Sequence, residues 1–179
     1  MDESTSSARP RVVTGMFRDR ESAERAYRTV TDRGYTHDDV NLMMSDDTRK
    51  THFENTEHVD TELGNKALEG AGTGSAIGGT AGAILGAIAA IGTSVAIPGL
   101  GLVVAGPIAA ALAGAGAGGA TGGLIGALVG SGIPEERAKV YESGVKEGGI
   151  VMGVTPRNDE DALHIENEWK NSKGEHVYR

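Results

Sequence analysis

Glycine recurs at every fourth position through an uncharged stretch in the middle of the chain. The run "GSAIGGTAGAILGA" begins at Gly74 and continues through Gly78, Gly82 and Gly86. Each glycine inside a helix costs about 1 kcal/mol relative to alanine. Residues four apart lie on one helical face, however, where glycine lets another backbone approach closely. The spacing therefore predicts a helix that is stabilised by packing against a partner.

A second glycine ladder follows in the same uncharged stretch, at Ala110, Gly114, Gly118, Gly122, Gly126 and Gly130. Two ladders predict a glycine-zipper helical hairpin over residues 70–133. Pro98 and Pro107 would interrupt any helix passing through them, so Thr93–Pro107 is predicted to form the turn. The predicted helix-packing interface consists of Gly74, Gly78, Gly82, Gly86, Gly114, Gly118, Gly122 and Gly126.

Charge separates the hairpin from the rest of the chain, because residues 70–134 contain no ionisable side chain. The two predicted helices, Ser75–Thr93 and Pro107–Gly130, have 19 and 24 residues, and about 20 cross a bilayer core. Small-residue ladders pack helices in membranes. Basic residues flank the stretch on both sides, as a hairpin with cytoplasmic ends requires: Lys66, Arg137 and Lys139. We expect transmembrane helices at the inner membrane.

Few large aliphatic side chains accompany the glycines, which leaves two alternatives open. In the first, the protein is soluble, and the hairpin either folds back on the domain formed by the charged parts of the chain or pairs its ladders with those of other subunits in a homo-oligomer. In the second, the stretch is a flexible low-complexity segment. The amino terminus "MDESTSSARP" lacks the basic and apolar regions of a secretory signal, so we expect a cytoplasmic protein, not a secreted one.

The charged residues before the hairpin predict half of a small domain. Residues 1–10 are polar and predicted to be disordered. Within 11–45, "RVVTGMF" suits a strand, Asp19 can cap a helix that ends at Gly34, and the alternating apolar residues of "VNLMMS" indicate a second strand. Residues 46–69 are polar with little periodicity and are predicted to form a linker.

The charged residues after the hairpin, 134–179, repeat that pattern behind a connecting helix. "IPEERAKVYESGVKEGG" places Pro134 at the first helical position, and "IVMGVT" is a third strand. Asn158 or Asp159 caps a further helix carrying Trp169, which we interpret as a core residue, and "EHVYR" is a final strand.

The two halves together predict an α+β protein with a ferredoxin-like βαββαβ domain. In that fold the second and third strands are an antiparallel pair, so the hairpin and the connecting helix can be inserted between them. The alternative is a single βαβ unit with an unrelated carboxyl-terminal tail.

Catalytic, cofactor-binding and metal-binding residues are not predicted. The chain has no cysteine and a net charge of -8, which disfavours thiol chemistry and nucleic-acid binding. "GAGAGG" at Gly114–Gly119 matches a dinucleotide-binding spacing but follows no strand. The clustered metal-ligating residue types His52, Glu54, Glu57, His58 and Asp60 lie in the predicted linker, where solvated side chains are expected.

The segments "VVTGMFRDRESAERAYRTVTDRGYTHDDVNLM" and "GIPEERAKVYESGVKEGGIVMGV" flank the glycine ladders. With them, the chain resembles the bacterial general stress proteins, a family described as heat-induced or low-temperature-induced. The resemblance implies a role in the stress response and no active site. We expect a non-enzymatic protein whose domain is tethered to, or assembled at, a membrane. The alternatives are the soluble homo-oligomer and a sensor that binds a small ligand or metal on its sheet.

Overall fold

A computed structural model describes residues 12–54, 95–97, 101–109 and 117–179. Six strands lie in one sheet: β1 Val13–Phe17, β2 Val40–Ser45, β3 Val95–Ile97, β4 Leu102–Ala105, β5 Ile150–Val154 and β6 Glu175–Tyr178. The helices in these ranges include α1 Arg20–Asp32, α2 Asp46–Arg49, α3 Ala117–Gly130, α4 Glu135–Lys146 and α5 Asp159–Asn171. A 3-10 turn, His37–Asp39, precedes β2, and a π-helical turn, Lys50–Glu54, follows α2.

All strand pairs in the sheet are antiparallel, in the order β3-β4-β2-β5-β1-β6. Strand β5 lies at the centre, where Met152 is opposite Gly15 of β1 on one side and Leu42 of β2 on the other. The α+β prediction is confirmed. The direct pairing of β2 with β5 holds the two ends of the long insertion side by side.

Local sequence signals set the helix ends as predicted. The Asp19 carboxylate accepts a hydrogen bond from Ser22 N at 2.8 Å, and Asn158 Oδ1 accepts one from Asp161 N at 2.7 Å. Such side chains satisfy amides that a first helical turn leaves unpaired. Gly34, with φ of 79°, follows α1 in the left-handed conformation that glycine tolerates. Helix α4 starts at Glu135 with Pro134 as its cap, one residue later than predicted.

Helices α1 and α5 cover one face of the sheet around a fully buried tryptophan. The Trp169 indole N–H donates to the Ala26 carbonyl at 3.0 Å, and its ring meets Phe17 edge-on at 5.8 Å. Gly15 makes room for it, since a Cβ there would lie 3.1 Å from Trp169 Cε3. Trp169 is thus a core residue, as the sequence indicated.

Helices α3 and α4 cover the opposite face. Tyr141 of α4 is fully buried, and its hydroxyl donates to the His176 carbonyl at 2.7 Å. The Thr14 hydroxyl must then donate to Tyr141, 2.8 Å away, because a phenol carries one proton. Burial raises the pKa of Tyr141. The sheet is therefore sandwiched between two helical layers.

The middle of the uncharged stretch is part of this sheet. Strand β4 pairs with β2, with Met43 opposite Val104, and β3 pairs with β4. The prediction that Thr93–Pro107 is the turn of a helical hairpin is therefore wrong. Val103 and Val104 are buried in this sheet, in keeping with the good packing of β-branched side chains on a pleated surface.

Two further predictions also differ from the structure. Helix α3 is interrupted at Gly123, whose φ of 55° and ψ of -155° are not helical, so the second ladder is not one continuous helix. The first nine residues of the predicted linker, Asp46–Glu54, are helical turns. Ser45 caps them, because its hydroxyl oxygen accepts a hydrogen bond from Thr48 N at 3.0 Å.

Candidate association surface

The carboxyl-terminal half of α3 packs one side on the domain and presents the other to its surroundings. Leu124 and Leu128 are buried in the same apolar cluster as Tyr141 and Val104. Val129 on the opposite side is 43% exposed, and Gly126 is also exposed. No charged side chain occurs on this helix. We call the outward side formed by Gly126, Val129 and Gly130 the α3 face.

Hydrogen bonds at the end of α3 fix its orientation. Gly132 has a φ of 90°, its N–H donates to Val129 O at 2.9 Å, and Ile133 N donates to Leu128 O at 3.0 Å. These two bonds form a Schellman motif, in which an apolar residue beyond the helix packs back on it. Ile133 and Leu128 accordingly belong to one buried cluster. The motif ends α3 and directs the chain toward α4. Helix α4 is in turn held to the sheet by the hydrogen bonds of its Tyr141 hydroxyl.

The part of the chain that the structure describes leaves the glycines of the α3 face uncovered. Apart from the two chain neighbours and the backbone of the same helix, no described heavy atom lies within 4 Å of the position that a Cβ would take at Gly126 or at Gly130. A flat, uncharged helix surface of this kind lets a second helix approach at backbone distance, the packing that glycine ladders provide. Chemically, it can contribute apolar contact and close backbone approach, and it carries no group for acid, base or nucleophilic chemistry.

The structure describes three of the eight predicted interface glycines. Gly118, Gly122 and Gly126 lie in α3, and the open surroundings of Gly126 fit a packing position. Gly74, Gly78, Gly82, Gly86 and Gly114 lie outside the described residues. None of the helices in the described ranges is long and apolar enough to cross a membrane.

Two structural features of the uncharged stretch were not predicted from the sequence. The break at Gly123 divides α3, and a glycine pair at 122–123 was the available signal. The strands β3 and β4 were also missed, although "SVAI" and "LVVA" on either side of "PGLG" have the composition of a strand-turn-strand unit.

A shallow cleft of about 490 Å³ lies between α2 and the end of α4. Lys146 and Glu147 line it, but Lys146 pairs with Glu142, and Glu147 pairs with Arg18 at 3.1 Å. Its Ser45 and Thr48 hydroxyls bond each other at 2.7 Å. These charged and hydroxyl groups are paired with one another or with neighbouring side chains, and this pairing fits a structural role for the cleft.

A polar cluster joins α1 to α5 on the other side of the molecule. The Tyr35 hydroxyl donates to Asp161 at 2.7 Å and accepts from Arg157 N at 2.8 Å, and Arg33 pairs with the same carboxylate. The hydrogen bond from Tyr35, together with Arg33, lowers the pKa of Asp161. These groups bond to one another within the cluster. The cluster therefore connects the carboxyl-terminal end of α1 to the amino-terminal end of α5.

The histidines of the described ranges do not form a metal site. His37, His52, His164 and His176 lie on separate elements, and no three His, Asp or Glu side chains in these ranges converge on one point. His58, Glu57 and Asp60 of the clustered residues noted in the sequence lie outside the described ranges.

No protein-family model matches the sequence, and comparisons with curated proteins and with solved structures find no significant match. The resemblance to general stress proteins therefore stays a prediction from the sequence.

Proposed function

We propose that this chain is a non-enzymatic general stress-response protein that acts by associating with further copies of itself. The observation that carries the proposal is the α3 face, an uncharged helix surface on which no described part of the chain packs against Gly126 or Gly130. Glycine at these positions weakens the helix, and within the described ranges no other element packs closely against it there. A partner helix at close range would compensate for that loss.

The homo-oligomer is better supported than attachment to a membrane through a hairpin made of both glycine ladders. A membrane hairpin needs two continuous helices that leave the domain, whereas Leu124 and Leu128 are buried on the sheet and Gly123 interrupts the helix before them. The first ladder, residues 74–86, lies outside the described residues. Membrane association through this ladder, at the cytoplasmic side of the inner membrane, stays an alternative.

A ferredoxin-like domain is part of the proposal. Its support is the order β6-β1-β5-β2 of the four strands encoded by the two charged halves of the chain. In a sensor of this fold the ligand would reach the sheet itself, but α1 and α5 cover one face here and α3 and α4 the other. The sensor alternative has correspondingly less support.

Substitution of Gly126 by glutamate tests the proposed association. A charge that becomes buried without a partner opposes binding strongly, so Gly126→Glu should weaken self-association of the 18.4 kDa chain at least tenfold in sedimentation equilibrium. Asn167→Glu adds the same charge to an exposed position of α5 and should leave the mass unchanged.

Two outcomes would contradict the proposal. One is a wild-type protein that stays monomeric at all concentrations, and the other is a Gly126→Glu variant that associates like wild type. Detergent-free fractionation of cells tests the membrane alternative, since recovery in the membrane pellet would favour it and recovery in the supernatant would oppose it.

A further inference from the structure

The first residue of α1 holds the π-helical turn that follows α2. Arg20 Nη1 donates a hydrogen bond to the His52 carbonyl oxygen at 2.9 Å. Carbonyl groups in the last turn of a helix are often bonded by basic side chains, and here the side chain comes from a different helix. The chain continues from this turn into residues 55–94, which precede β3. Arg20 therefore fixes the point from which that long segment leaves the charged amino-terminal part of the chain.

Glu24 lies one turn further along α1, beside Arg20. The residue is 9% exposed, and its Oε1 lies 3.7 Å from Arg20 Nε. Within the described ranges neither of its carboxylate oxygens accepts a hydrogen bond. A buried carboxylate is costly unless it is paired. The guanidinium of Arg20 is the cation that pairs with Glu24 in this part of the structure.

Local preferences of a helix do not explain this pair. A cation at the first helical position opposes the helix dipole, and an i,i+4 pair is stronger when the acid precedes the base. The turn Lys50–Glu54 is π-helical, a rare conformation that often occurs at functional sites. Several local rules broken at one place indicate a functional constraint there.

Helix α2, directly before this turn, has its own contacts. Asp46 N donates to the Gly101 carbonyl at 2.7 Å, and the Asp46 carboxylate accepts a hydrogen bond from Arg49 at 2.9 Å. Ser45 caps the helix. Breaking the bond between Arg20 and His52 therefore removes a contact of the turn and leaves these contacts of α2 in place.

We infer that Arg20, Glu24 and the turn Lys50–Glu54 form a clasp that can open while the sheet stays folded. Glu24 is a positioning residue, because its charge holds the guanidinium where it meets the His52 carbonyl. Opening of the clasp frees the turn and, with it, the start of the segment that follows. The inference goes beyond the proposed self-association and does not depend on it.

Hydrogen exchange of the full-length protein, followed by mass spectrometry, tests the clasp. In Arg20→Ala we expect the amides of residues 51–54 to exchange about tenfold faster, because a hydrogen bond from a charged donor is lost. Exchange of β5 should stay within about twofold of wild type, since a local opening leaves core strands protected. Arg25→Ala is the matched control, because it removes an exposed ion pair with Glu21 in the same helix and should leave the turn unchanged.

Substitutions of Glu24 separate positioning from simple packing. Replacing a buried charge by an apolar side chain of similar size is often neutral or stabilising, so Glu24→Leu should keep or raise the urea midpoint of global unfolding. The turn should nevertheless exchange about threefold faster, because Arg20 has lost its counter-charge. Glu24→Gln, which keeps the shape without the charge, should loosen the turn in the same way. A merely structural Glu24 would change exchange of the turn and of β5 together.

Two results would overturn the inference. One is unchanged exchange of residues 51–54 in Arg20→Ala, and the other is exchange that rises equally in the turn and in β5, which would mean that the turn opens only when the whole protein unfolds. Far-ultraviolet circular dichroism identifies the folded variants, and Arg20→Gln serves the same comparison if Arg20→Ala does not fold.

Discussion

At the residue scale, Gly144 is a helical glycine whose missing side chain makes room for the side chain of Met16. It lies in the last turn of α4, at a helical position where alanine would ordinarily be preferred. A Cβ at this position would overlap the sulfur of Met16, which β1 projects into the space between Gly144 and Gly149. Met16 is 1% exposed, so it has little room to move aside.

Gly144→Ala is therefore expected to destabilise the protein. Better helix propensity would contribute about 1 kcal/mol, but overpacking a filled core costs roughly 1 to 3 kcal/mol. The expected net loss is about 1 kcal/mol in the free energy of unfolding, measured by urea denaturation of the monomer.

Gly126→Ala in α3 is the matched control for that substitution. Because a Cβ there would meet no described atom of another element within 4 Å, the propensity gain should appear without the overpacking cost. The double variant Met16→Ala with Gly144→Ala should lose less stability than Met16→Ala and Gly144→Ala added together. A stabilised Gly144→Ala single variant would refute the packing account.

At the scale of elements, the Tyr141 hydroxyl connects α4 to two strands. It donates to the His176 carbonyl of β6 and accepts from the Thr14 hydroxyl of β1. Thr14 and Tyr141 are both fully buried, and a buried polar group that loses its partner keeps its desolvation cost. This hydroxyl fixes α4, and through α4 the position of α3.

Tyr141→Phe should cost about 1 to 3 kcal/mol of unfolding free energy, because the Thr14 hydroxyl is left without a partner. Thr14→Val removes the other half of the pair with similar shape. We expect the double variant to be destabilised by less than the sum of the single variants, as measured in a double-mutant cycle by thermal or urea unfolding. Strict additivity would mean that the two hydroxyls do not interact.

At the scale of the whole molecule, the middle of the uncharged stretch packs with the charged halves in one sheet. Strand β4 pairs with β2, and Asn41 Oδ1 of β2 accepts a hydrogen bond from Ile108 N at 2.7 Å. Gly106 lies between them with a φ of 97°, against the backbone of Val40. These contacts bind the middle of the insertion to the sheet.

Hydrogen exchange should reveal this cooperativity. We expect amides of Leu102–Ala105 to exchange nearly as slowly as those of Ile150–Val154, because core strands of one cooperative unit open together. Peptide-level mass spectrometry of the native protein measures both segments in one experiment. Exchange of Leu102–Ala105 within seconds, as in an exposed turn, would contradict the observed pairing.

The sequence by itself determined the elements that carry strong local signals. Asp19 and Asn158 start helices, Gly34 follows one in a left-handed conformation, and alternating or β-branched residues mark β1, β2 and β5. Capping and turn conformations depend on a few neighbouring residues, so they can be predicted without knowledge of the rest. The α+β class followed from these elements.

Only the tertiary structure decided where the uncharged stretch belongs. The same "SVAI" and "LVVA" residues could have formed a hairpin tip, and β2 supplied the unpaired edge that made them strands. Gly123 and Gly126 lie three residues apart in the same glycine-rich stretch, yet Gly123 breaks the helix and Gly126 lies on its exposed side. Glycine spacing specifies which positions are small, whereas the surface that faces each position is set by long-range packing, which local sequence does not encode.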